Sequence, residues 1–122
     1  MRNLNTEDPI YLQLARNLCD KILSDVYVAE QRIPSMRELS AMFEVNPNTV
    51  FKAYEYLERE GVIFNKRGMG YFVNQNAKEL IYKVRKENFI SQTLPLVFKT
   101  MAQLNLSIEQ IVKIYEQNKQ NI

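Results

Sequence analysis

The sequence predicts a mainly α-helical chain with one small β-hairpin, and three observations support this fold class. Apolar residues recur at spacings of three and four residues in several segments, which is typical of amphipathic helices. Polar cap residues stand immediately before several of these segments. β-branched and aromatic residues form two short runs on either side of a stretch rich in turn formers, which indicates a hairpin.

The first predicted helix begins at Asp8-Pro9, where an N-cap residue is followed by a proline. Its apolar side carries Leu12, Ala15, Leu18, Cys19, Ile22 and Leu23. Cys19 is the only cysteine, so we expect a buried small hydrophobe without a disulfide partner in the chain. Residues 27–33 should form a connection with a short strand, because residues before Pro34 favour extended backbone.

Two capped helices follow, with only two residues between them. Ser35 and Glu38 fit a capping box, which starts a short helix. Asn46 is a preferred N-cap residue, and Pro47 fits the first helical position, where a missing N–H costs nothing. Gly61 ends the second helix. We therefore predict a helix-turn-helix, because a plain helical hairpin gives no reason for a polar start to the second helix.

The start of this second helix carries polar side chains where most helices carry acids. Its core side is predicted to contain Val50, Ala53, Tyr54 and Leu57. Asn48, Thr49 and Lys52 fall on other faces. Asn and Thr side chains can bond to base edges and phosphate oxygens, and the positive end of the helix dipole favours phosphates. The pattern predicts a helix whose N-terminus enters a DNA groove; an ordinary capped surface helix is the alternative.

The predicted hairpin consists of the runs 62–64 and 71–73, joined by residues 65–70. Lys66 and Arg67 lie beside Gly68 and Gly70, so backbone and cations can both approach a polyanion closely. Because it follows a helix-turn-helix, the hairpin is interpreted as a DNA-binding wing.

With these three parts, residues 9–73 resemble the GntR family of bacterial transcription regulators. The matching blocks are 9–14, 33–39, 45–54, 57–61 and 67–73. The Asn-Pro-Asn-Thr-Val start of the second helix and the short C-terminal tail are most similar to the YtrA subfamily. The chain departs from the wider family at Pro47, where many members have arginine, and at Phe51, where many have a basic residue.

The resemblance implies DNA contacts by Arg37, by the polar residues that open the recognition helix and by the wing tip. Together with the residue pattern, it gives a predicted DNA-binding set of Ser35, Arg37, Asn46, Asn48, Thr49, Lys52, Lys66, Arg67, Gly68 and Gly70. The expected partner is a double-stranded DNA operator.

A winged helix-turn-helix domain at 1–75 and a short two-helix dimerisation tail at 76–122 complete the predicted organisation. Pro95 should interrupt or bend the first tail helix, and Ser107 and Gln110 form a capping box for the second. Two short helices cannot bury both apolar stripes alone, so the tail should pack on a second copy, the alternative being the chain's own DNA-binding domain. The residues expected near the twofold axis are Leu94, Phe98, Met101, Ile111 and Tyr115.

Enzymatic chemistry is not supported by this composition. The chain has no histidine, one cysteine, no nucleophile elbow, no phosphate-cradling loop and no carboxylates at metal-ligand spacing, so we expect no catalytic site, metal or cofactor.

The net charge is only +2, so any positively charged surface that binds DNA must be local. The absence of a membrane-length apolar run or a signal-type N-terminus predicts a soluble, cytoplasmic protein.

Two functions remain open from the sequence. The first is a homodimeric regulator, a repressor by preference, that binds an inverted-repeat operator. Resemblance to the YtrA subfamily further implies a transporter operon of the ATP-binding-cassette type as the target. The second is a winged-helix module that contacts another protein. The Lys66-Arg67-Gly68 tip favours phosphate over a protein surface, and the sequence leaves any small-molecule effector undefined.

Overall fold

The computed structural model describes residues 8–122, which fall into two compact units. The first unit ends at Lys83 and the second runs from Val84 to Ile122. The elements of the first unit are α1 (Ile10–Leu23), α2 (Met36–Phe43), α3 (Pro47–Arg59), β1 (Ile63–Lys66), β2 (Gly70–Val73) and the start of α4 (Ala77–Asn88). The mainly helical fold with one antiparallel hairpin is as predicted.

Helix α1 begins at Ile10, and Pro9 rather than Asp8 is its N-cap residue. The Asp8 carboxylate does not cap the helix but pairs with the Arg16 guanidinium at 2.6 Å. Of the residues predicted for its apolar side, Leu12 and Leu23 are only half-buried, at the edge of the apolar stripe, and Leu14 is buried in addition to the others. Cys19 is buried, as expected.

The core of the first unit receives side chains from all of its helices and from the hairpin. Its buried members are Leu14, Ala15, Leu18, Cys19, Ile22, Ile33, Leu39, Val50, Ala53, Tyr54, Leu57, Val62, Ile63, Val73, Ala77 and Ile81. Ala77 and Ile81 lie on α4, only 2% and 3% exposed. The unit therefore extends beyond the expected boundary at residue 75, since the first turns of α4 complete its core.

The connection between α1 and α2 runs beside the hairpin. The Ile33 N–H donates to the Tyr71 carbonyl at 3.0 Å, and the Val73 N–H donates to the Gln31 carbonyl at 3.0 Å. Arg32 and Phe72 form one antiparallel bridge. The short strand expected at 27–33 is thus reduced to a bridge that anchors β2.

The second unit contains the end of α4, a π-helical segment (Phe89–Thr93), α5 (Leu94–Gln103), α6 (Ile108–Asn118) and a 3₁₀ turn (Lys119–Asn121). The expected interruption at Pro95 takes the form of the π-helical segment that ends two residues before it, and the Leu94 N–H donates to the Phe89 carbonyl. A proline ring crowds the carbonyl four residues earlier, and the wider π turn relieves this. None of residues 84–122, all of which the structure describes, is buried.

Candidate nucleic-acid interface

The start of α2 is fixed by a complete capping box. The Glu38 N–H donates to Ser35 Oγ at 3.1 Å, and the Ser35 N–H donates to Glu38 Oε1 at 2.8 Å. Donation to the Glu38 carboxylate from the Ser35 N–H and from the Ser35 hydroxyl, with Arg32 nearby, holds the pKa of Glu38 below its ordinary value of 4.5. Ser35, predicted to bind DNA, thus has a demonstrable structural role in setting where α2 begins.

The turn between α2 and α3 depends on Glu44, which has a left-handed backbone with φ of 51°. The Val45 N–H donates to the Ser40 carbonyl at 3.2 Å, and Ser40 Oγ donates to the Val45 carbonyl at 2.6 Å. The sequence did not predict this hydrogen-bonded turn, because glutamate is not a residue that favours left-handed backbone.

Helix α3 begins as predicted, with Asn46 as N-cap residue and Pro47 in the first turn. The Asn48 N–H donates to Asn46 Oδ1 at 2.8 Å, so this oxygen caps the helix and the Asn46 side-chain NH₂ takes no part in the cap. Asn48 and Lys52 are exposed and Thr49 is half-buried. The start of the helix therefore presents amide, hydroxyl and ammonium groups.

Tyr54 ties α3 to its neighbours from inside the core. Its hydroxyl donates to the Pro34 carbonyl at 2.5 Å, just before α2. Its ring forms a T-shaped pair with the Tyr71 ring of β2, with centroids 5.1 Å apart and planes at 84°. Burial raises the pKa of Tyr54, so the phenol keeps its donor proton. One side chain thus fixes α3 relative to α2 and to the wing.

The wing pairs Ile63 with Val73 and Lys66 with Gly70, with the exposed tip at residues 67–69. Gly68 has φ of +75°, which favours glycine at the turn. Lys66 Nζ lies 4.5 Å from the centroid of the Phe72 ring, a cation–π distance. The two predicted wing cations therefore differ: Lys66 rests on an aromatic ring, whereas Arg67 stands at the exposed tip.

Backbone conformation and packing both favour glycine at position 70, independently of any contact with DNA. Its φ is +104°, and a Cβ there would lie 3.0 Å from Arg32 Nε. The Arg32 guanidinium also lies 3.9 Å from the Glu38 carboxylate. Arg32 is thus a cation between the wing and the start of α2. The sequence did not predict this position, because the only notable feature of Arg32 in the sequence is that it precedes Ile33-Pro34.

The predicted DNA-binding residues of α2 and α3 line two different depressions. An open depression between α2 and α3 is lined by Met36, Arg37, Ser40, Ala41, Pro47, Asn48 and Phe51. It brings Arg37 and Asn48 together. Lys52 lies instead beside a second depression, with Tyr11, Glu55 and Arg59. The first depression carries one cation, Arg37, and the second carries Lys52 and Arg59 with the Glu55 carboxylate, so both have an excess of positive charge.

The predicted dimerisation residues all lie in the second unit. Phe98 and Tyr115 are 52% and 53% exposed. Leu94, Met101 and Ile111 are half-buried. Ser107 and Gln110 form the predicted capping box, with Gln110 N–H donating to Ser107 Oγ at 3.1 Å.

No group of three or more His, Cys, Asp and Glu side chains that could hold a metal occurs within residues 8–122. Over the same range, no helix is both long and apolar enough to cross a membrane.

Comparison with known proteins gives consistent results. The family model "Bacterial regulatory proteins, gntR family" matches residues 10–73. The HTH-type transcriptional repressor YtrA of Bacillus subtilis (strain 168) is 43% identical over 70 residues, which cover 57% of this chain and 54% of that repressor. The chain therefore aligns with about half of that relative's length.

Two solved structures extend the comparison. A GntR-family protein from Bacteroides thetaiotaomicron is 44% identical with a TM-score of 0.83, covering 93% of this chain and 98% of that one. The DNA-binding domain of AraR, solved in complex with an operator, is 29% identical with a TM-score of 0.52, covering 60% of this chain and 90% of that one. The family match spans more than half of the chain and includes both the helix-turn-helix and the wing. The chain thus belongs to the GntR family, whose members are DNA-binding transcription regulators rather than enzymes.

Proposed function

We propose that this chain represses transcription as a homodimer bound to an inverted-repeat operator. The observation that carries the proposal is the exposed polar start of α3, which lies next to Arg37 in the same unit as the basic wing tip. Side chains of these types bond to base edges and phosphates. Similarity to a named repressor supports repression over activation.

Homodimerisation is supported by the apolar surface of the second unit. Its exposed large hydrophobic residues are Phe89, Ile90, Leu96, Val97, Phe98, Leu104, Ile108, Val112, Ile114, Tyr115 and Ile122. Apolar exposure of this extent in a short segment is typical of an interaction surface. A twofold dimer presents two recognition helices to successive major grooves, so the preferred site is an inverted repeat.

The target genes and location follow from the same proposal. Resemblance to the YtrA subfamily favours a transporter operon of the ATP-binding-cassette type, encoded beside the regulator. A DNA target requires the cytoplasm as the working compartment. An inverted repeat upstream of such neighbouring genes, bound by the purified full chain, would support this assignment; binding elsewhere would overturn it.

The salt dependence of binding to duplex DNA tests the DNA-binding surface. Arg67→Ala should lower the slope of log affinity against log salt by about one, because one phosphate contact is lost. Lys66→Ala should change the slope less, since Lys66 rests on Phe72. Lys113→Ala, on α6, is the matched control for total charge. An unchanged slope for Arg67→Ala would mean that the wing tip does not contact DNA.

Base reading is tested at Asn48. Asn48→Ala should cost about 1 to 3 kcal/mol on the selected operator and little on random duplex, if its amide reads a base. Equal losses on both duplexes would make Asn48 a phosphate contact. A full chain without salt-dependent binding to any duplex would instead favour the alternative function, a winged-helix module for protein contact.

A further inference from the structure

Phe51 is the feature of α3 that neither the core nor the polar contacts explain. It is 50% exposed, and within α3, which the structure describes completely, it is the one exposed large hydrophobic residue. Its neighbours Val50, Ala53 and Tyr54 fill the core. The fold therefore gains little from a phenyl ring at this position.

The surroundings of Phe51 are apolar at the centre and polar at the sides. Met36, Ala41 and Pro47 line the same depression. Arg37 and Asn48 line it too, from the first turns of α2 and α3. A guanidinium beside this apolar surface favours a polyanion as the partner over another apolar protein face.

Among the groups that a major groove presents, the C5-methyl of thymine is the apolar one. The other base edges offer hydrogen-bond donors and acceptors, to which a phenyl ring can contribute nothing. An aromatic side chain near the N-terminus of a helix in the major groove can therefore distinguish thymine by contact with its methyl group.

We propose that Phe51 is a specificity-determining residue that reads thymine methyl groups in each operator half-site. Pro47, one helical turn before it, supplies apolar surface beside the ring. This inference rests on the DNA binding proposed above and adds a base preference to it. It places thymine next to the base that Asn48 contacts, since both side chains line one depression.

The test replaces thymine by deoxyuridine, which lacks only the C5-methyl. The full chain first selects its operator from a pool of random duplexes. Each thymine of one half-site is then replaced in turn, and affinity is measured by fluorescence anisotropy. Wild type should lose about fourfold at one or two positions, the effect of one methyl no longer buried.

Variants assign the effect to Phe51. Phe51→Ala should bind the thymine operator more weakly and show no further loss with deoxyuridine at those positions. Phe51→Leu should keep part of the preference for thymine over deoxyuridine. It replaces Phe51→Ala in the test if the alanine variant does not fold. Met42→Ala is the matched control, because Met42 is 59% exposed on α2 and does not line the depression.

Two results would overturn the assignment: no deoxyuridine penalty in wild type, or an equal penalty in Phe51→Ala. The second would show that another residue reads the methyl. Failure of the proposed function is visible earlier, because a chain that selects no sequence from the pool has no operator to modify. In that case the assignment of Phe51 as a residue that reads thymine methyl groups is also wrong.

Discussion

The two units of the chain differ in what their helices bury. In the first unit, Tyr54, Leu18, Leu39 and Leu57 are at most 1% exposed. In the second unit no residue is buried, and aromatic residues such as Phe98 and Tyr115 remain half exposed. Burial of apolar surface is the main term that offsets the lost chain entropy. The first unit therefore has its own core, whereas the apolar side chains of the second stay exposed, and the proposed dimer accounts for this exposure.

Local signals are equally good in both units, which makes the difference instructive. Ser35 and Glu38 form a capping box in the first unit, and Ser107 and Gln110 form one in the second. Both boxes start helices with a defined apolar side. Local sequence thus determines where a helix begins, but what its apolar side contacts depends on the rest of the assembly.

Loss of a core side chain should have the largest effect on stability. Leu39→Ala should lower the free energy of unfolding by about 2 to 5 kcal/mol, because Leu39 is fully buried and leaves a cavity. Met42→Ala, in the same helix but exposed, should change it by at most about 0.5 kcal/mol. Urea denaturation measures both variants. Similar values for the two would mean that the first unit lacks the closed core described above.

The hydrogen bond from Tyr54 should contribute less. Tyr54→Phe should cost about 1 to 2 kcal/mol, because it removes the donor to the Pro34 carbonyl and keeps the ring. Tyr82→Phe is the control, since Tyr82 is exposed. Urea denaturation again gives the difference. A neutral Tyr54→Phe would show that ring packing alone positions α3.

Alkaline pH provides a further test of the same residue. Burial raises the pKa of Tyr54 above its ordinary value of 10.0, so the folded chain keeps a proton that the unfolded chain loses. The stabilisation is complete below pH 10 and is lost as pH rises through the folded pKa. From Tyr54 alone, the unfolding free energy should fall by about 1.4 kcal/mol per pH unit above pH 10. A slope that Tyr54→Phe leaves unchanged would contradict this origin.

The parts of the fold that follow local rules were predictable from sequence. Asn46 and Pro47 fixed the start of α3, and the turn formers between the two strand runs located the wing. The left-handed turn at Glu44 was not predictable, because its support comes from Ser40 and not from glutamate itself. The extension of the core to Ile81 was also missed, since burial there depends on packing against distant residues.

At the candidate site, residue types were predictable but their partners were not. Lys66 and Arg67 looked equivalent in sequence, yet the hairpin register places Lys66 over Phe72. Gly70 was predicted as a DNA contact, and its most evident role is to leave space for Arg32. The first difference arises from the register of the hairpin and the second from a contact with a segment 38 residues earlier in the chain, and neither is encoded in the local residue pattern.

The most direct test of the central claim is sedimentation equilibrium of the full chain with charged substitutions in the second unit. Wild type should be a dimer at micromolar concentration. Phe98→Glu with Tyr115→Glu should be a monomer, because two carboxylates cannot be buried in an apolar interface. Gln103→Glu with Gln117→Glu adds the same charge to the polar sides of α5 and α6 and should remain a dimer. A monomeric wild type, or a double variant that still dimerises, would contradict the assignment of this apolar surface to the dimer.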